Sequence, residues 1–144
     1  MKIFTIGFTK TTAEQFFMRL RQPDLVRLID IRMNNSSQLA GFTKMNDLQF
    51  FLRVINNIEY VHLPELSPTK EILDRYKKRG GDWGRYEREF LSLMTSRRIQ
   101  DNVDKNIING GCLLCSEVTP EHCHRRLVAE YFSEQWGNVE IQHL

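Results

Sequence analysis

The feature that most constrains this chain is an alternation of short β-branched runs with amphipathic stretches. Residues 2–6 are apolar and β-prone and are closed by Gly7; residues 25–31, 58–63, 111–116 and 139–142 repeat the theme. Between them, Ala13, Phe16, Phe17 and Leu20, and then Met45, Leu48, Phe51, Leu52 and Ile55, recur at helical spacing. Strand–helix–strand alternation requires crossover connections, so the expected class is α/β: three layers, with a mostly parallel sheet of about five strands and helices on both faces. Strand order does not follow from the pattern.

Local signals set the expected boundaries. Thr11 and Glu14 fit a capping box for the first helix, and Pro23 follows its end. A polar loop runs from Asn34 to Gly41. Thr69 is placed to cap a helix reaching about Arg79, and Tyr86, Phe90, Leu93 and Met94 mark another beyond Gly80-Gly81. Ile99, Val103 and Ile107 predict a short helix ending at Asn109-Gly110. Thr119 as N-cap and Pro120 at the first helical position are expected to open the last helix, with Leu127, Val128, Tyr131, Phe132 and Trp136 on its apolar face.

With 144 residues the chain fits one domain, 1–144, able to bury a core without staples. There is no run of 18 apolar residues, so no membrane contact is expected. The first residues lack the features of a signal peptide, and three cysteines cannot all pair within the chain, so reduced thiols and a cytoplasmic location are expected. A net charge of +2 is too weak to argue for nucleic acid by itself.

In open parallel sheets ligands bind beyond the carboxyl ends of the strands. The expected strands end there in Gly7-Phe8-Thr9, Asp30-Ile31-Arg32, His62-Leu63-Pro64-Glu65 and Cys115-Ser116-Glu117, which brings ionisable or hydrogen-bonding groups to one edge. The densest chemistry runs from Cys115 to Arg126. If Thr119-Pro120 starts the helix, His122, Cys123 and His124 fall in its first turn, where free N–H groups and the helix dipole favour anions and a thiolate. A buried, inert role is the competing reading for Cys115 and Cys123. Cys112-x-x-Cys115 resembles a zinc knuckle, but residues three apart on a strand face opposite ways, so Cys112 reads as core and no metal is expected. No cofactor is expected either: the glycine-rich loops of dinucleotide and P-loop sites are missing, as is a G-x-S-x-G elbow. Residues 70–88 interleave seven Lys/Arg with Tyr76, Trp83 and Tyr86. That segment reads as a solvated helix face, a lid over the edge, or a surface that stacks single-stranded nucleic acid.

Thr5-Ile6-Gly7, Asp30-Ile31-Arg32, Tyr60-Val61-His62-Leu63-Pro64-Glu65-Leu66 and Leu113-Leu114-Cys115-Ser116-Glu117 through Pro120 and Cys123-His124-Arg125 resemble, in order and over nearly the whole chain, the family called domain of unknown function 488. The resemblance implies a compact α/β domain whose shared polar positions are Gly7, Asp30, Arg32, His62, Glu65, Cys115, Glu117, Cys123, His124 and Arg125. It brings no activity. Here Phe8 stands where relatives often carry His or Tyr, and Met33-Asn34-Asn35-Ser36-Ser37 replaces a loop that usually has Pro and more basic residues.

The functional expectation is an enzyme acting on an anionic, phosphate-bearing or nucleotide-like small molecule. Cys123 or Cys115 would be the reactive thiol, His124 or His62 the proton carrier, and Glu65 or Glu117 a base or orienter. Gly7, Thr9, Asp30, Arg32 and Arg125 would form the binding edge, with the two arginines holding the anion. The alternative is a non-catalytic nucleic-acid or nucleotide-binding module using Arg32, Arg125 and residues 70–88.

Overall fold

The computed structural model describes residues 1–36, 41–78, 80–117 and 120–144. Five strands, β1 (Lys2–Gly7), β2 (Arg27–Asp30), β3 (Glu59–His62), β4 (Gly111–Cys115) and β5 (Glu140–His143), form one all-parallel sheet of order β3-β2-β4-β1-β5. The helices are α1 (Ala13–Arg19), α2 (Met45–Phe51), α3 (Lys70–Lys78), α4 (Trp83–Ser96), α5 (Ile99–Asn102), α6 (Lys105–Ile108) and α7 (His124–Trp136). The three-layer α/β class is therefore as expected.

Alternation along the strands divides the core into two layers. Phe4, Ile6, Leu28, Cys112 and Leu114 face α1 and α2. Ile3, Ile29, Ile31 and Leu113 face α4 and α7 with Phe90, Met94, Leu127, Val128 and Phe132. Cys112 is completely buried, as the strand argument required, and burial pushes its thiol well above the usual range.

This topology decides where a crevice opens at the sheet edge. The chain leaves β1 and β2 toward the α1–α2 layer and leaves β4, their common neighbour, toward the α7 layer. Where adjacent strands send the chain to opposite faces, a crevice opens at their carboxyl ends. The crevice here is flanked by the residues after β1, β2 and β4.

Three local expectations are corrected. The capping box of α1 uses Thr12 and Gln15, one residue later than Thr11 and Glu14, since Gln15 N–H reaches Thr12 Oγ1 and the Gln15 side chain bonds back to Thr12 N–H. The single helix expected over Ile99–Ile107 is two one-turn helices, because Val103 is extended and Asp104 caps a fresh start at Asn106 N–H. The last helix opens at His124 with extended Cys123 as N-cap, so Pro120 and His122 precede it. Thr119, the expected cap, lies outside the described residues, as do Val118, Arg79 and residues 37–40 of the polar loop.

Candidate active site

At the crevice lies a cleft of about 250 Å³, lined among others by Phe8, Arg32, Tyr76, Trp83, Cys115, Glu117, His122, Cys123 and His124. Its floor is built by the end of β4 and the start of α7. The Sγ atoms of Cys115 and Cys123, eight residues apart, are joined as a disulfide. The expectation of three reduced thiols is thus corrected: β4 stops at Cys115, and the turn before α7 brings Cys123 back over it. Only Cys112 is free.

His124 is the first residue of α7. Its Nε2–H donates to the Ile31 carbonyl at 2.9 Å, which leaves Nδ1 with its lone pair 3.6 Å from Cys115 Sγ. Burial drives the ring down to about 4, with the Ile31 bond opposing and the charges of Arg125 and Lys77 assisting. At neutral pH His124 is therefore an uncharged acceptor, not a ready acid. Cys115, Cys123 and His124 present three ligand atoms within 4.8 Å of one another, a donor set of soft-metal type.

Arg32 is set by a buried network. Asp30, with no exposure, accepts Arg32 N–H at 3.1 Å, Nε at 2.8 Å and Nη2 at 2.7 Å, and the Tyr60 hydroxyl donates to it at 2.6 Å. Nη2 also donates to the Thr43 carbonyl, and the guanidinium lies over the Phe8 ring. One buried donor of this cleft-lining residue, Nη1, has no hydrogen-bond partner among the described residues. Arg32 was expected to hold an anion; its guanidinium is already ion-paired with Asp30.

Arg125, expected on the same binding edge, sits deeper. It is buried, donates Nη1 to the Glu117 carbonyl at 2.7 Å, and does not line the cleft. Its desolvation lowers the guanidinium to about 10. Gly7 serves the same turn, because a Cβ there would overlap the Glu117 carbonyl oxygen and come within 2.7 Å of Arg125 Nη1. Thr9 tethers the turn from the other side, its N–H and hydroxyl both donating to the Ser116 carbonyl. Gly7, Thr9 and Arg125 thus all contact the β4–α7 turn.

His62 and Glu65 stand outside the cleft. His62 Nε2 donates to the Arg32 carbonyl at 3.0 Å, and exposed Glu65 has its carbonyl held by Arg97. The strand rule placed them on the right edge, but β3 is an edge strand three positions from β1, so its end lies away from the crevice. Of the expected catalytic residues, Cys115, Glu117, Cys123 and His124 come together with Arg32.

What sequence reasoning underweighted is the aromatic wall. Trp83 stacks on His122 with ring centroids 4.8 Å apart, and Tyr76 and Tyr86 flank Trp83 at 5.5 and 5.0 Å. Tyr76, Trp83 and Tyr86 all line the cleft. Of the cations in residues 70–88, Arg75 is paired with Glu71 and Glu89, Lys78 with Asp74, Arg85 with Glu89, and Lys77 with Glu117 at the rim.

Fold and site together define a class: a three-layer α/β protein with a sulfur–imidazole cleft at the switch point of a parallel sheet, walled by aromatic rings. The chain belongs to the family described as Domain of unknown function DUF488, whose model matches residues 12–132. Neither a curated protein nor a solved structure matches it. No helix among the described residues is long and apolar enough to cross a membrane.

Proposed function

We propose that the protein is an enzyme acting on an anionic, ring-bearing small molecule of the nucleotide kind, with the Cys115–Cys123 sulfurs as the reacting groups. The observation that carries this reading is the coincidence, in one cleft, of the buried orphan donor Arg32 Nη1 with the Trp83–His122 stack and the sulfur pair. An unpartnered buried donor costs about 1–3 kcal/mol, which an acceptor oxygen brought by a ligand would recover. Planar rings offer a stacking surface to a heterocycle. The sulfur pair supplies a nucleophilic thiolate when reduced and an electrophilic disulfide when joined.

The alternative, a nucleic-acid-binding module, draws less support, because Arg75, Lys77, Lys78 and Arg85 are engaged by acids. Calorimetric titration separates the two. A nucleoside monophosphate is expected to bind more tightly than either inorganic phosphate or the nucleoside alone. Trp83→Ala should weaken that binding by about 5- to 150-fold, the equivalent of 1–3 kcal/mol of stacking per base. Absence of mononucleotide binding at millimolar concentration, or binding only of oligonucleotides with a steep salt dependence, refutes the small-molecule reading.

A further inference from the structure

We propose that, when its sulfur pair is reduced, the protein holds a zinc-class divalent metal ion on Cys115 Sγ, Cys123 Sγ and His124 Nδ1, with the remaining coordination position turned to the cleft. The inference concerns the protein's own donors and does not depend on which organic molecule the cleft takes.

Four observations carry it. The three ligand atoms already lie within 4.8 Å of one another, and all three residues line the cleft. They come from two regular elements, the end of β4 and the N-cap and first residue of α7, so the backbone sets their spacing. His124 has the outer-shell partner that metal-bound histidines almost always show: Nε2–H donates to a backbone carbonyl, that of Ile31, which fixes the tautomer and aims the Nδ1 lone pair at the sulfurs. Finally, the donor set is two sulfurs and one imidazole with no carboxylate among them, which selects zinc and its neighbours over magnesium or calcium.

The objection raised by the sequence does not apply. Cys112 and Cys115 do face opposite sides of β4, which removes a four-ligand site, but three protein ligands need no Cys112. Three protein ligands with one open position are the pattern of catalytic zinc, and two thiolates neutralise a divalent ion in a poorly hydrated floor. The balance is simple. Reduction breaks the Cys115–Cys123 bond with two electrons and two protons; a phosphine reductant supplies the electrons and is converted, with water, to its oxide. Metal binding then displaces the two thiol protons. In the joined state the sulfurs lack the charge to bind, so metal binding requires the reduced pair.

The test uses the full chain, reduced with a phosphine and freed of it without air, titrated with cobalt(II) as a spectroscopic substitute for zinc. Expected are one cobalt per chain, a sulfur-to-cobalt charge-transfer band, the visible bands of a four-coordinate ion, and loss of all three on adding zinc. The oxidised protein should bind none. Cys112→Ala should bind as the parent does, while Cys115→Ser and Cys123→Ser should lose more than about 100-fold in affinity, beyond the 10–100-fold typical of outer-shell changes. Circular dichroism on the same samples reports folding. The proposal is overturned if the reduced, folded parent takes up no cobalt, if the charge-transfer band is absent, if the serine variants bind like the parent, or if reduction unfolds the chain and metal does not restore it.

Discussion

The buried ion pair of Asp30 and Arg32 makes the most demanding prediction. Asp30→Asn keeps size and shape but removes the charge facing Arg32 Nε and Nη2 at 2.8 and 2.7 Å and presents an amide that itself donates. Arg32, only 6% exposed, would then be a buried cation with little beyond the Thr43 carbonyl to answer it. Breaking one side of a buried pair costs about 3–5 kcal/mol, whereas replacing both partners with apolar groups is often neutral. For a chain of this size about 3 °C per kcal/mol is expected, so Asp30→Asn should melt about 9–15 °C lower. Arg32→Met in that background should recover much of the loss. Thermal and urea unfolding of the parent, both single variants and the double variant form the cycle that measures it. Ligand affinity should fall in Asp30→Asn as well, since Asp30 positions the free donor. If Asp30→Asn unfolds within about 1 kcal/mol of the parent, or the cycle shows coupling below about 1 kcal/mol, the pair is not a buried, charged anchor and the reasoning fails.

Other outcomes follow from single features. Gly7→Ala should destabilise by about 1–3 kcal/mol and expose the β4–α7 turn to amide exchange, because its Cβ meets backbone that Arg125 and Thr9 hold in place; unchanged exchange there would contradict the geometry. Under non-reducing conditions, peptide mapping should find Cys115 linked to Cys123, and Cys123→Ser should lose about 2.5 kcal/mol relative to the oxidised parent, the loop entropy for a separation of eight residues. The same substitution should cost far less when both proteins are compared in reductant.

Histidine sets the expected pH response of the metal-free protein. His124 is held at about 4 against an ordinary 6.5, and His143 is also held down by burial and nearby arginines. Both are neutral when folded and take up protons more readily when unfolded. Stability is therefore full above about pH 6.5 and declines as pH falls toward about 4, by at most about 1.4 kcal/mol per unit for each group. A flat urea midpoint over that window would show that neither ring is desolvated.

Much of the fold was legible because strand and helix periods are local properties. Each strand was found within one or two residues, and the face opposition of Cys112 and Cys115 followed from a two-residue repeat alone. Helix starts were less legible: Thr11 and Thr12 offer the same hydroxyl, and only packing of Phe16 and Phe17 chooses between them. The start of α7 misled for a similar reason, since a proline after threonine signals a first turn whether or not the chain goes on to make another bend.

The candidate site divides along the same line. Sequence by itself determined that Arg32, Cys115, Glu117, Cys123 and His124 belong to one edge, since the carboxyl ends of parallel strands share a side of the sheet. It also determined that Cys112 would be core. Only tertiary structure decided the strand order, which gathers the ends of β1, β2 and β4 and leaves His62 and Glu65 of β3 aside. It likewise decided that Cys115 and Cys123 meet, that Asp30 and the Glu117 carbonyl engage the two arginines, and that Tyr76, Trp83 and Tyr86 line the cleft. Periodicity is written into neighbouring residues, whereas pairing depends on which distant segments the hydrophobic layers bring together, and that information exists only once the chain has folded.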